Sequence, residues 1–241
     1  MNGKSPGEMI EEMSTSLQLG IGKAGKEMLQ QYADLLLRGL QKQRLTGERT
    51  LEGLIGKQFY DSLYPLKVIR FTAESKILDL GTGGGLPGLP LKICLPDVNL
   101  YLLDSNKRKI CFLKETAEAI GLKKIYFISS RAEELGQNKV HREQYDYVLC
   151  KAVAEMAVLA ELSLPLLKVG GKAVLYKGPR GKDESKRAEK AINICGGEIT
   201  AVWEYALKTG EQRSLFLLNK KTETPPLYPR AIGVPKRKPL R

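Results

Sequence analysis

Histidine is almost missing from this chain. His141 stands alone in the polar stretch GQNKVHREQ, so a Ser-His-Asp or Cys-His device could draw on that residue only, and its setting predicts a solvated loop histidine instead. Cysteine is scarce and scattered: Cys94, Cys111, Cys150 and Cys195 form no C-x-x-C pair. That spacing argues against a zinc ribbon and predicts reduced, buried thiols rather than disulfides. No metal is expected. Long hydrophobic runs are also lacking, since nothing approaches the roughly 18 apolar residues of a membrane span. The stretch MNGKSPGEMIEEM has no basic leader followed by an apolar segment. The expectation is a cytoplasmic protein without a membrane partner, and a monomer.

What is present is enough for a full core: 241 residues, 42% of them hydrophobic, suit one large α/β domain with or without an extension. The formal charge of +12 is unevenly spread. Residues 220–241 hold seven Lys or Arg against one Glu, which is half of that excess. Five prolines in the same stretch argue against a helix or central strand and predict an extended arm. Its Arg230, Lys236, Arg237 and Lys238 suit RNA phosphates better than mere solvation, because Leu227 and Tyr228 could dock or stack beside them.

Along the chain, Ser5-Pro6-Gly7-Glu8 reads as a capping box, and apolar residues then recur at helical spacing in three segments up to Tyr64-Pro65. From Lys76 the texture becomes short apolar runs separated by helical stretches: KILDL, VNLYLLD, KIYFIS, YDYVLC and KAVLYK. Runs apolar on both faces predict a parallel sheet covered on both sides. EITAVWEYAL and SLFLLN follow with only KTGEQR between them, a link so short that these two strands must be antiparallel. The predicted fold is therefore α/β, a mostly parallel seven-stranded sheet with a C-terminal antiparallel hairpin. Its expected organisation is an N-terminal helical extension (1–66), a sheet domain (67–220) and a basic, proline-rich tail (221–241).

The chemistry concentrates in ILDLGTGGGLPGLPLKI, residues 77–93. In an open α/β sheet the ligand lies at the carboxyl ends of the strands, close to the first strand-to-helix turn. Gly81, Gly83 and Gly85 would let the backbone approach it without a Cβ in the way. Two templates overlap here. Residues 83–88 satisfy G-x-G-x-x-G, with Asp104 at about the interval expected of an NAD(P)-dependent oxidoreductase. Residues 79–85 give D-x-G-x-G-x-G, which resembles the first motif of Rossmann-like, class I S-adenosylmethionine-dependent methyltransferases. Charge favours the second, because Asp79 would repel a pyrophosphate, whereas S-adenosylmethionine brings an ammonium, a sulfonium and no phosphate. Asp104 can accept from ribose hydroxyls in either class, and Ser105 is the expected cap of the following helix. Lys107, Arg108 and Lys109 crowd that helix's first turn, where cations oppose the macrodipole. Three such residues together predict a facing anion, namely RNA phosphate.

With YLLDSNKRKICFLKE, SSRAEEL, YDYVLCKAVAEM and YPRAIGVPKRKPL, the glycine segment resembles the glucose-inhibited division protein B (RsmG) family, and the likeness reaches back to YDSL at residues 60–63. That resemblance implies transfer of a methyl group from S-adenosylmethionine to N7 of a guanine in 16S ribosomal RNA, with the small ribosomal subunit as partner. It implies cofactor contacts at Gly81 and Leu86, ribose contacts near Asp104 and adenine contacts by Ala132 and Glu133. Arg131 and Lys151 would flank the acceptor, Lys151 also touching the cofactor. The chain departs from the family in having Cys150-Lys151-Ala152 for Ser-Arg-Ala and Gln58 for a histidine. It also has GLQKQRLTG at 39–47 in place of a Trp-Asn and Asn-Leu-Thr signature. Lys lacks the planar fork of Arg.

Guanine N7 is an unprotonated nucleophile at neutral pH, so placement, not a general base, would carry the reaction. Cys150 lies where a covalent nucleophile could sit but reads more simply as buried strand. Lys177, at the end of LYKGPRG, is expected near the acceptor, and Arg180 would extend the same basic edge toward RNA. The competing readings are the oxidoreductase and a methyltransferase fold retained only as an RNA-binding module of the ribosome.

Overall fold

The computed structural model describes residues 4–240; Met1, Asn2, Gly3 and Arg241, the outer ends of the expected extension and tail, lie outside it. The chain opens with α1 (Pro6–Leu17) and α2 (Lys23–Leu40). The predicted capping box forms at Ser5: its backbone N–H donates to Glu8 Oε2 (2.7 Å), and its hydroxyl accepts from the Glu8 N–H (3.3 Å). The third helical segment is broken rather than continuous. It runs as α3 (Leu51–Gly53), a π-helical stretch (Leu54–Phe59), α4 (Tyr60–Leu63) and α5 (Pro65–Val68).

The sheet follows as β1 (Lys76–Leu80), α6 (Gly88–Cys94), β2 (Asn99–Leu103), α7 (Lys107–Ala119), β3 (Ile125–Ile128), α8 (Ala132–Gln137) and β4 (Tyr145–Lys151). Then come α9 (Met156–Ser163), β5 (Leu167–Lys177), α10 (Gly181–Ile194), β6 (Gly197–Ala206), β7 (Gln212–Lys220) and a single turn, α11 (Val234–Arg237). The strand order is β3-β2-β1-β4-β5-β7-β6, with β7 antiparallel to both β5 and β6 and the other pairings parallel. The expected seven-stranded sheet and terminal hairpin are both present. The order reverses between β1 and β4, which opens a crevice at their carboxyl ends.

Strand alternation sorts the side chains into two cores. Ile77, Leu149, Val174 and Leu215 face the N-terminal helices, joining Leu29, Tyr32, Leu36 and Phe59. Leu78, Val148, Leu175 and Phe216 face α9 and α10, joining Leu159, Ala188 and Ile192. The helical extension thus shares its core with one face of the sheet. No helix among the described residues is long and apolar enough to cross a membrane.

The tail is not the extended arm that its prolines suggested. Arg142 donates to the carbonyls of Thr224 (2.6 Å) and Tyr228 (2.7 Å), Gln137 donates to those of Pro226 and Pro229, and Pro229 lies against Gly136. Proline carbonyls accept as well as any other, so the missing N–H groups did not prevent docking. Lys220, the last residue of β7, and Arg230 of the tail both turn inward. Lys220 is fully buried, pairs with Glu143 and donates to the Leu164 carbonyl, and burial pushes its ammonium down to about 8. Arg230 pairs with Glu161.

Candidate active site at the carboxyl ends of the strands

The glycine turn is stapled by two carboxylates. Asp79 shares the parity of Ile77 and points beneath the turn, where its Oδ2 accepts from the Thr82 hydroxyl (2.6 Å) and the Gly88 N–H (2.9 Å). It is fully buried, and burial pushes its carboxyl up to about 6 against the pull of those two donors. Asp79 is therefore a buried brace of the turn. Its Oδ1 is buried and has no partner among the described residues. Asp104 directly follows β2; its Oδ2 accepts from the Gly83 N–H (3.0 Å), its Oδ1 accepts from the Asn106 N–H (2.8 Å), and Lys109 stands 3.6 Å away. Asn106, not Ser105, caps α7 by accepting from the Arg108 N–H (2.9 Å).

Around this turn lies a cleft of about 400 Å3, within the range of small-molecule sites. Leu80 and Gly81 from β1, Asp104 and Ser105 after β2, and Ser130, Arg131, Ala132 and Glu133 after β3 form one side. Val153, Ala154, Val158 and Leu162 after β4 form another, and Ile232, Gly233 and Lys236 of the tail close it. Gly81, Asp104, Ser105, Arg131, Ala132 and Glu133 are thus brought together as the sequence suggested. Gly81 has φ +73° and a Cβ there would lie 2.9 Å from Val153 Cγ2, so a bare backbone is required.

The other expected residues stand elsewhere. Gly83, Gly85 and Leu86 build the turn without lining the cleft: Gly85 packs under Leu89 and Leu113, and Leu86 is buried in the helical core. Lys151 has the parity of Leu149, so its ammonium points into the N-terminal layer. It donates to the Gln58 carbonyl (3.2 Å), Gln58 Oε1 (3.0 Å) and Ser62 Oγ (3.3 Å), beside Asp61 Oδ2 at 3.3 Å. Burial lowers its pKa while Asp61 opposes the change. Lys177 falls on the opposite face and gives its ammonium to the Ala154 carbonyl and Glu184, both at 2.7 Å. Lys151 has its three donors engaged, whereas Lys177 uses two of its three, and neither lines the cleft described above. Lys107, Arg108, Arg180, Arg237 and Lys238 are exposed; so is Lys236 beside the cleft, whereas Arg230 is spent on Glu161.

Two thiol and imidazole expectations also change. Cys111 is exposed on α7 rather than buried. His141 is half-buried with Nδ1 2.7 Å from the Tyr145 hydroxyl, and desolvation lowers its pKa. Cys150 is fully buried and its thiol is driven upward by burial, which leaves no covalent nucleophile at the end of β4. Among the described residues no group of three or more His, Cys, Asp or Glu is placed to hold a metal.

Sequence reasoning missed Val153, Ser130, Ile232 and Gly233 in the cleft, and Leu45, whose carbonyl covers Gly83. Position after a strand end would have pointed to Ser130 and Val153; nothing local signals the tail residues.

A reversed-order sheet of this topology, with a glycine turn after β1 and a carboxylate after β2, is that of a Rossmann-like class I methyltransferase. The fold is shared, for example, with the TYW2 protein of M. jannaschii, solved in complex with AdoMet (TM-score 0.54, 13% identity, covering 70% of this chain and 77% of that one). The family model described as "rRNA small subunit methyltransferase G" (GidB) matches residues 25–215. Proteins named ribosomal RNA small subunit methyltransferase G from Listeria welshimeri (38% identity, 95% of this chain, 98% of the relative) and Pelotomaculum thermopropionicum (39%, 97% and 98%) are similar over nearly their full lengths. The chain belongs to the rRNA small subunit methyltransferase G family, and its cofactor is S-adenosylmethionine. The oxidoreductase reading is thereby set aside.

Proposed function

We propose that this protein acts as a cytoplasmic monomer that methylates N7 of a guanine in 16S ribosomal RNA. The observation that carries this reading is the cleft itself, in which Gly81, Asp104, Ala132 and Glu133 converge at the carboxyl ends of the strands. S-adenosylmethionine supplies an electrophilic methyl group on a sulfonium. Gly81, Asp104, Ala132 and Glu133 would hold it.

The chain's remaining work is placement. Guanine N7 attacks with its own lone pair and sheds no proton, so no side chain has to act as a base. That requirement fits a site whose only nearby thiol is inert and whose only histidine is bonded to Tyr145. Arg131 lies exposed on the lip of the cleft and is suited to meet the RNA there; exposed Lys107 and Arg108 would take phosphates.

Incubation of unmodified small subunits and of naked 16S RNA with methyl-tritiated S-adenosylmethionine tests the reading. Label that maps to guanine and marks a site of cleavage by aniline after mild reduction is the expected result. Label on an exocyclic amine or ribose would replace the proposed acceptor, and no transfer to either RNA would favour the non-catalytic module.

A further inference from the structure

The tail was expected to serve RNA, yet its residues Ile232, Gly233 and Lys236 form one side of the cleft that the strands open. They are fixed there. Arg230 donates from its backbone N–H (2.9 Å) and Nε (2.8 Å) to Glu161 Oε1, and from Nη2 to Oε2 (2.7 Å), with Glu161 fully buried in α9. Three residues on, the Gly233 N–H donates 2.9 Å to Glu133 Oε1 at the start of α8. The segment between these two clamps carries Ile232, which is nevertheless 49% exposed.

A large apolar side chain held rigidly but half-uncovered is an unusual use of buried anchors. The exposed face has a second member, Val153, 36% exposed, which also lines this cleft. The rest of the lining is mixed, with Leu80, Leu103 and Val158 alongside the polar Asp104, Ser130 and Glu133. A flat heterocycle with polar edges and apolar faces matches that wall, because its faces would cover the aliphatic carbons while its edges meet the polar groups.

We infer that the carboxy-terminal segment is a wall of the methyl-donor site, and that Ile232 packs on a face of the donor's adenine. This rests on the cleft being the S-adenosylmethionine site. The tail then contributes to cofactor affinity and not chiefly to RNA affinity, and Glu133 is held by the Gly233 N–H in the place where an adenine edge meets α8.

The test uses the full chain without RNA and measures S-adenosylhomocysteine binding by titration calorimetry for wild type, Ile232→Ala, Ile232→Asp and Leu227→Ala. Leu227 is an exposed tail residue outside the cleft and serves as the control. Ile232→Ala should weaken binding about tenfold and Ile232→Asp more, the loss expected for uncovering an aliphatic side chain. Leu227→Ala should bind like wild type, and thermal midpoints should stay unchanged because Ile232 is half-exposed. Adenosine, used as a competitor, should lose affinity in parallel, which would assign the contact to the base. Unchanged affinity in both Ile232 variants, with a raised KM for RNA, would overturn the inference and return the tail to an RNA-binding role. A wild-type protein that does not bind S-adenosylhomocysteine at all would overturn the cofactor site itself, a separate and recognisable result.

Discussion

The two sides of the cleft are held by contacts of very different reach. On the glycine-turn side, the bonds from Thr82 and Gly88 to Asp79 and from Gly83 to Asp104 join residues 3, 9 and 21 apart. On the tail side, Arg230 to Glu161 and Gly233 to Glu133 span 69 and 100 residues. The first wall is therefore written into one βαβ unit and rigid as soon as that unit packs. The second exists only after the chain has completed the sheet and returned across α9 and α8, so its sequence can look like an arm while its structure is a wall.

Substitutions that collapse one wall and spare the other sharpen this contrast. The largest effect belongs to Gly85→Val. Gly85 has φ +100°, and its Cβ would lie 2.6 Å from Leu89 Cδ1 and 2.9 Å from Leu113 Cδ2. Left-handed strain of about 1–2 kcal/mol and overpacking of about 1–3 kcal/mol add to a loss of about 4 kcal/mol, read from denaturant midpoints, together with loss of cofactor binding. Arg230→Ala attacks the other wall. It strands the buried Glu161 carboxylate and should cost about 3 kcal/mol; replacing both residues, Arg230→Met with Glu161→Leu, should recover much of that. A single variant as stable as wild type would mean that the tail is not anchored by this pair.

A smaller effect tests the buried carboxylate under the turn. Asp79 has a folded-state pKa of about 6, above its ordinary value of 3.8. A carboxyl raised on folding favours the native state when protonated, so its contribution is complete below about pH 4 and fades as pH rises through 6. Stability read from denaturant midpoints should accordingly fall as pH rises from 4 to 7, and Asp79→Asn should flatten that part of the profile. The smallest effect is at the surface: Lys107→Ala and Arg108→Ala should each lower the slope of log affinity for RNA against log salt by about one unit, with cofactor binding unchanged.

Much of the frame was legible. The alternation in KILDL and YDYVLC, and the short KTGEQR link, yield the parallel strands and the final hairpin because these depend on period and loop length alone. The D-x-G-x-G-x-G turn located the cleft, since its ligand-facing geometry is set within a few residues. Charged groups were harder. Lys151 and Lys177 both end strands at the correct edge, but strand parity sends one toward Gln58 and Asp61 and the other toward Glu184. Parity could be counted from Leu149 and Leu175, whereas the waiting partners could not, because Asp61 lies on a helix that the strand meets only in the folded chain. Gln58 and Lys151 are bonded to each other, a pairing invisible along the sequence.

The sequence by itself determined the sheet and the reversal point beside the glycine turn. Those follow from local periodicity, loop length and backbone freedom. Only the tertiary structure decided which ionisable groups remain available. Burial makes an unpaired charge costly, so each internal lysine, arginine or carboxylate is drawn to whichever opposite charge or carbonyl the packing brings near. The same requirement turned a proline-rich basic tail inward, anchored it on Glu161 and set Ile232 at the edge of the cleft.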